Sequence, residues 1–123
     1  MVLVGVIAAG TVSAAATQVQ TSVTIVNGNG ERISGRVTSP EKACMKGRRV
    51  TVYMRTGSAR RNLGYPGYEV VGKATTRSNG NWEIKASEAF LEADYRPFVA
   101  SKRVTSGDES FLCKSRWGPT KHL

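Results

Sequence analysis

The sequence contains few of the side chains that catalytic and metal sites most often require. Among its 123 residues there is one histidine, His122, and there are two cysteines, Cys44 and Cys113. A histidine-centred catalytic triad, a Cys/His zinc site and a knot of several disulfides are therefore excluded. No D-x-D-x-D loop or histidine cluster marks a cation site either. We therefore expect no metal, no cofactor and no catalytic residues.

Carboxylates are also scarce. Nine Asp and Glu stand against eighteen Lys and Arg, which gives a formal net charge of +9. Such an excess favours association with polyanions such as nucleic acid, teichoic acid, acidic polysaccharide or anionic headgroups. The basic residues occur as scattered pairs, and no nucleic-acid-binding motif is present. The alternative is a solvated, basic surface that binds nothing specific.

The chain lacks an apolar run long enough to cross a bilayer, which needs about 20 residues. Its one apolar run, Val2–Val12, leads into Ser13-Ala14-Ala15-Ala16. A short apolar run followed by small residues is typical of a secretory signal, although no Lys or Arg precedes it here. We predict a signal peptide over 1–16, a single domain over 17–117, a flexible tail over 118–123 and an extracellular location. The alternative is an N-terminal buried strand.

If the chain is exported, its two cysteines meet oxidising conditions, because a secreted chain matures in an oxidising compartment. Two cysteines in such a chain most simply form one disulfide, so we predict a Cys44–Cys113 bond. The alternative is a pair of free buried thiols. With the disulfide formed, no thiol remains as a nucleophile.

Alternation of apolar and polar residues predicts an all-β fold. Gly- and Asn-rich turns such as Asn27-Gly28-Asn29-Gly30 and Ser78-Asn79-Gly80-Asn81 separate the predicted strands. The predicted strands are 21–26, 32–39, 49–55, 69–76, 82–85, 95–100 and 111–113. The expected inner layer consists of Val23, Ile33, Val50, Val52, Trp82 and Ile84. These seven strands predict an antiparallel β-sandwich. The stretch 87–94 alone is helix-like, so we expect one short helix there.

Several of these stretches resemble transthyretin-like and carboxypeptidase-regulatory-like domains, which are immunoglobulin-like sandwiches. The matching stretches are 33–37, Cys44, 48–53 and 71–84. Within the last stretch, Thr76, Gly80 and Trp82 match the recurrent T-x-x-x-G-x-aromatic pattern of that group. The resemblance implies a seven-stranded sandwich in an exported or cell-surface protein, usually without catalytic residues. It carries over no ligand-binding residue, because the match lies in the scaffold.

The long segment 56–68 is the main candidate for a binding loop, because loops of this length in compact domains are often functional. Interleaved arginine and tyrosine side chains suit phosphate binding together with stacking on a base or a sugar ring. The candidate contacts are Arg60, Arg61, Tyr65 and Tyr68 in this segment, with Arg48, Arg49, Lys102 and Arg103 as supporting positive charge. We expect a secreted, non-catalytic binding or structural module whose partner is an anionic polymer, a glycan or a cell-surface protein. The alternative for 56–68 is a flexible connector.

The competing function is a small, basic, secreted nuclease or toxin. Such an enzyme needs a general base and a general acid close to an arginine. His122 is the only imidazole and lies in the predicted tail. The carboxylate pairs Glu88/Glu92 and Asp108/Glu109 are expected to be solvated, because a sandwich of this size offers little cleft for a glycosidase site.

Overall fold

The structure, a computed structural model, describes residues 16–29, 32–55, 68–85 and 93–123. Residues 1–15 of the predicted signal peptide lie outside these ranges, as do residues 87–92 of the predicted helix. Asp94, the last residue of that predicted helix, instead begins a β-strand.

The described chain is built from short β-strands and one 3₁₀ turn, η1. The strands are β1 (Thr17–Val19), β2 (Ser22–Asn29), β3 (Arg32–Thr38), β4 (Arg49–Arg55), β5 (Tyr68–Thr75), β6 (Asn81–Lys85), β7 (Asp94–Val99), β8 (Lys102–Ser106), β9 (Glu109–Cys113), β10 (Arg116–Trp117) and β11 (Lys121–His122). The 3₁₀ turn η1 covers Lys42–Cys44. The prediction of an all-β fold is thus confirmed.

The described ranges contain eleven strands rather than the predicted seven. The seven predicted strands correspond to β2–β7 and β9, whereas β1, β8, β10 and β11 were missed. Strand β8 has one apolar residue, Val104, and β10 and β11 have two residues each. Segments this short or this polar carry no alternation to detect. These four segments are strands because they pair with neighbouring strands, and not because of their own alternation of apolar and polar residues.

Two sheets enclose the main core. One has the order β2-β3-β6, and the other has the order β10-β7-β4-β5 with β11 also paired to β7. Successive side chains of a strand point to opposite faces, so each sheet directs alternate residues inward. The residues buried in this core are Val23, Ile25, Ile33, Val37, Val50, Val52, Trp82, Ile84, Tyr95 and Val99. All six residues of the predicted inner layer are among them.

A third sheet, β1-β9-β8, packs its own apolar cluster beside the sandwich. Strand β1 pairs with β9 in parallel, whereas the other strand pairs of the described ranges are antiparallel, as predicted. Within this cluster, Cys44 of η1 forms a disulfide with Cys113 of β9, with a Cα–Cα distance of 5.4 Å. The predicted disulfide therefore joins the third sheet to the turn that precedes β4.

The C-terminal residues lie against the sandwich, where a flexible tail over 118–123 was expected. Strand β11 pairs with β7, and the Leu123 N–H donates to the Ala93 carbonyl at 3.0 Å. The Leu123 side chain packs against the main core cluster. The described sandwich therefore includes residues beyond the predicted boundary at 117.

The turn between β5 and β6 has the conformation that its Asn-Gly sequence predicts. Gly80 has a φ of +88°, and the Arg77 N–H donates to the Asn81 carbonyl at 2.9 Å. A Cβ on Gly80 would meet the Val37 carbonyl oxygen and would lie 3.2 Å from Cε of Met45. This close approach places the turn beside the segment that follows η1.

Candidate anion-binding pocket

Three lysines meet in a pocket of about 450 Å³ between η1, the β5–β6 turn and the start of β8. The described residues that line it are Lys42, Ala43, Lys46, Gly47, Ser78, Lys102, Val104 and Thr105. All three lysines are exposed, and no carboxylate belongs to this described lining. We call these three lysines, with Ser78 and Thr105, the lysine pocket. Its ammonium and hydroxyl groups are hydrogen-bond donors suited to an anion.

Local backbone geometry holds the lysine-bearing turn in place. Within η1, the N–H groups of Cys44 and Met45 donate to the carbonyls of Glu41 and Lys42, both at 2.9 Å. Gly47 then adopts a φ of +65°, a conformation that glycine reaches without steric cost. Its carbonyl accepts a hydrogen bond from Lys102 Nζ at 3.1 Å. This bond anchors one of the three ammonium groups at the edge of the pocket.

Thr76 fixes the segment between η1 and β4. Its hydroxyl accepts the Arg48 N–H at 2.8 Å and donates to the Met45 carbonyl. The Thr76 N–H and carbonyl also bond to the backbone of Arg48 and Gly47. Thr76 is 4% exposed, so these bonds are shielded from water. The threonine of the T-x-x-x-G-x-aromatic stretch therefore holds Gly47, which lines the pocket, in place.

Arg48 is not a surface residue, and its prediction as a supporting contact was wrong. Its side chain is fully buried, and burial lowers the pKa of its guanidinium by disfavouring the charge. The guanidinium makes five hydrogen bonds, at 2.7 to 3.3 Å, to the carbonyls of Cys44, Ala100 and Lys114 and to the Thr21 hydroxyl. All these acceptors are neutral. The charge of Arg48 is therefore solvated by the protein itself, one residue away from Gly47.

The other predicted contacts do not form a single site in the described chain. Arg60, Arg61 and Tyr65 lie outside the described residues. Tyr68 is half-buried at the start of β5, where its Cα pairs with Arg55 of β4.

The remaining cations of that prediction lie on exposed strand positions. Arg49 begins β4 opposite Thr75, and Arg103 lies on β8 opposite Leu112. Of the predicted basic contacts, the described structure places Lys102 in the lysine pocket.

Sequence reasoning missed Lys42 and Lys46, which complete the lysine pocket with Lys102. They lie four positions apart, on either side of Cys44, a spacing that by itself indicates an ordinary pair of solvated lysines. The available signal was their position on either side of a disulfide cysteine, because the bond fixes the turn. That Lys102 meets them follows from the pairing of β8 with β9 and could not be inferred from spacing.

His122 lies against a carboxylate, where the sequence had placed it in a tail. Its Nδ1 atom lies 2.8 Å from Oδ1 of Asp94, and both side chains are substantially exposed. Across the described ranges, no three His, Cys, Asp or Glu side chains cluster as metal ligands would. The same ranges contain no helix with the length and apolarity that a membrane crossing requires.

No protein-family model matches this chain, and a search of curated proteins finds no significant match.

Proposed function

We propose that this protein is an exported, non-catalytic β-sandwich module that binds an anionic polymer through the lysine pocket. The resemblance to transthyretin-like domains and the apolar N-terminal run support export and the absence of catalysis. The single observation that carries the binding proposal is the convergence of Lys42, Lys46 and Lys102 on one pocket whose described lining holds no carboxylate.

The electrostatics of the lysine pocket favour a polymer over a single small anion. Exposed ammonium groups attract an anion weakly one at a time, because water and salt screen them. A polymer that contacts several at once releases several counterions, so affinity grows with the number of contacts. A polymer with one negative charge per repeat suits this arrangement.

The test uses inorganic polyphosphate as the polyanion and the double variant Lys46→Gln/Lys102→Gln. Loss of two phosphate contacts is expected to lower the slope of log K against log[salt] by about 1 to 2. The matched control, Lys85→Gln/Lys121→Gln, removes the same charge from exposed positions on β6 and β11. This control is expected to keep most of the salt dependence of the unaltered chain, measured as the slope of log K against log[salt]. Equal losses in both double variants would show that net charge alone drives binding and would refute the pocket.

The competing nuclease function draws on the contact between His122 and Asp94. A carboxylate that orients an imidazole is a recurrent arrangement in acid–base catalysis. The two functions are separated by incubating the purified chain with single-stranded RNA. Hydrolysis that disappears in His122→Ala would replace the binding proposal with the nuclease, whereas an intact substrate supports the binding module.

A further inference from the structure

Three aromatic side chains form a cluster on the outer face of the five-stranded sheet, away from the lysine pocket. Tyr53 comes from β4, Phe98 from β7 and Trp117 from β10. The Trp117 ring centroid lies 5.1 Å from that of Tyr53 and 4.9 Å from that of Phe98, with tilted ring planes. We call these three residues the aromatic face. Each of the three side chains is partly exposed.

The position of these rings is not explained by the sandwich core. In β4, Val50 and Val52 are buried and point inward, so Tyr53 lies on the opposite face. In β7, Pro97 and Val99 alternate with Phe98 in the same way. A solvent-facing sheet surface normally carries polar residues. Aromatic residues gathered there indicate a surface that meets a partner.

The aromatic face is extended by Val70, which is opposite Tyr53 in the β4–β5 pairing. Its side chain is 47% exposed. The three rings and this valine form an apolar strip that runs across β10, β7 and β4 and ends on β5.

Positive charge surrounds the aromatic face. Arg96 lies 4.8 Å from the centroid of the Trp117 ring, and its Nε–H donates to the Gly118 carbonyl at 2.9 Å. The cation–π contact and the hydrogen bond together hold the Arg96 guanidinium beside the Trp117 ring. Arg55 follows Tyr53 by two residues and so lies on the same face, as does Lys73, which pairs with Thr51. The Asp94 carboxylate of this face is engaged by His122.

We infer that the aromatic face binds single-stranded nucleic acid, its bases stacking on the rings and its phosphates contacting Arg55, Lys73 and Arg96. Proteins that bind single strands without preference for a nucleotide sequence combine these two elements, a positively charged track and aromatic side chains. A neutral glycan would use the rings but not the flanking cations. An inorganic polyanion would use the cations but not the rings. This inference deepens the proposed function by naming a polyanion class, and it uses a second surface.

The experiment compares three probes on the full chain: oligothymidine of about 12 nucleotides, within the usual site size, polyphosphate of matched charge, and neutral β-glucan oligosaccharide. Trp117→Leu removes one stacking ring, and Arg96→Gln removes the charge beside it. Each stacked base contributes enough that Trp117→Leu should weaken oligothymidine binding about 5-fold or more. Polyphosphate binding should change less than about 2-fold in Trp117→Leu. Lys85→Gln, at an exposed position on β6 outside both proposed surfaces, is the matched control for the effect of charge.

A second measurement uses the unaltered chain, so that the inference can be tested even if a variant fails to fold. Ultraviolet cross-linking to oligothymidine, followed by trypsin and mass spectrometry, should label the peptide 117–121, which begins with Trp117. Labelling at other peptides only, or an equal affinity for oligothymidine and polyphosphate, would overturn the inference. Binding of the β-glucan in preference to oligothymidine would also overturn it. Polyphosphate binding in the absence of a preference for oligothymidine would leave the proposed function standing by itself.

Discussion

At the scale of single residues, Arg48 shows how an ionisable group can act as a structural element. Its five hydrogen bonds reach four separate segments: the η1 turn, the β1–β2 junction, the β7–β8 junction and the residue after β9. Burying a charge is costly unless its donors are satisfied. Here each of the five N–H donors of the guanidinium has an oxygen acceptor. Arg48 therefore joins the third sheet to the sandwich by polar bonds.

Arg48→Leu is expected to lower the free energy of unfolding by about 3 kcal/mol or more, because several buried oxygens lose their donor. Its exposed neighbour provides the control, since Arg49→Leu should change stability by less than about 0.5 kcal/mol. Urea unfolding measures both. Arg48→Lys separates charge from geometry, because an ammonium has three donors and cannot reproduce five bonds. A stability of Arg48→Leu close to that of the unaltered chain would contradict this role.

At the scale of elements, β7 organises the five-stranded sheet: it carries one ring of the aromatic face and pairs with the two strands that carry the others. It pairs with β4 on one side and with both β10 and β11 on the other. Pro97 lacks an N–H donor, and proline within a sheet is usually confined to edge strands and bulges. In the structure β7 is internal, and its missing N–H is tolerated because Pro97 lies between the segments that pair with β10 and β11. Its carbonyl accepts the Gly118 N–H at 2.8 Å.

Leu123→Ala is expected to lower the free energy of unfolding by about 1 to 2 kcal/mol. Leu123 is half-buried against the core, so part of the usual cost of a core Leu-to-Ala change applies. The adjacent His122→Ala should cost at most about 1 kcal/mol, because the contact with Asp94 is solvent-exposed. Thermal unfolding of the two variants gives the comparison. A larger loss in His122→Ala than in Leu123→Ala would show that the contact with Asp94, and not packing, holds the C-terminal residues.

At the scale of the whole molecule, the described chain consists of a sandwich and a smaller sheet that are fastened together near one turn. The disulfide between Cys44 and Cys113 and the buried Arg48 both act at this junction. The same turn carries Lys42 and Lys46 of the lysine pocket. The geometry of the proposed binding site therefore depends on the junction.

Replacing both cysteines with serine should lower the free energy of unfolding by about 4 kcal/mol on the chain-entropy treatment of a disulfide. The basis is the sequence separation of 69 residues that the bond closes. Hydrogen exchange should rise first in β8 and β9, since their cluster contains the bond. Polyphosphate affinity should fall in parallel, because η1 is no longer fixed. An unchanged denaturation midpoint in the double variant would contradict this expectation.

The core and its strands could be predicted from the chain alone because their signals are local. Val50-Thr51-Val52 alternates with the period of a strand, and the Asn79-Gly80 turn needs a positive φ. The pairing of Cys44 with Cys113 followed from there being two cysteines only. No local sequence pattern marks the residues that form the proposed binding surfaces. Arg48 was therefore predicted on the surface although it is buried, and Trp117 was assigned no role.

By itself the sequence determined the all-β class, six residues of the inner layer and the excess of positive charge, because each depends on composition or on neighbours along the chain. The tertiary structure alone decided that Arg48 is buried, that Lys102 meets Lys42 and Lys46, and that Trp117 contacts Tyr53 and Phe98. These contacts join residues far apart in sequence. They depend on strand order and register, which the pattern within any one strand does not specify.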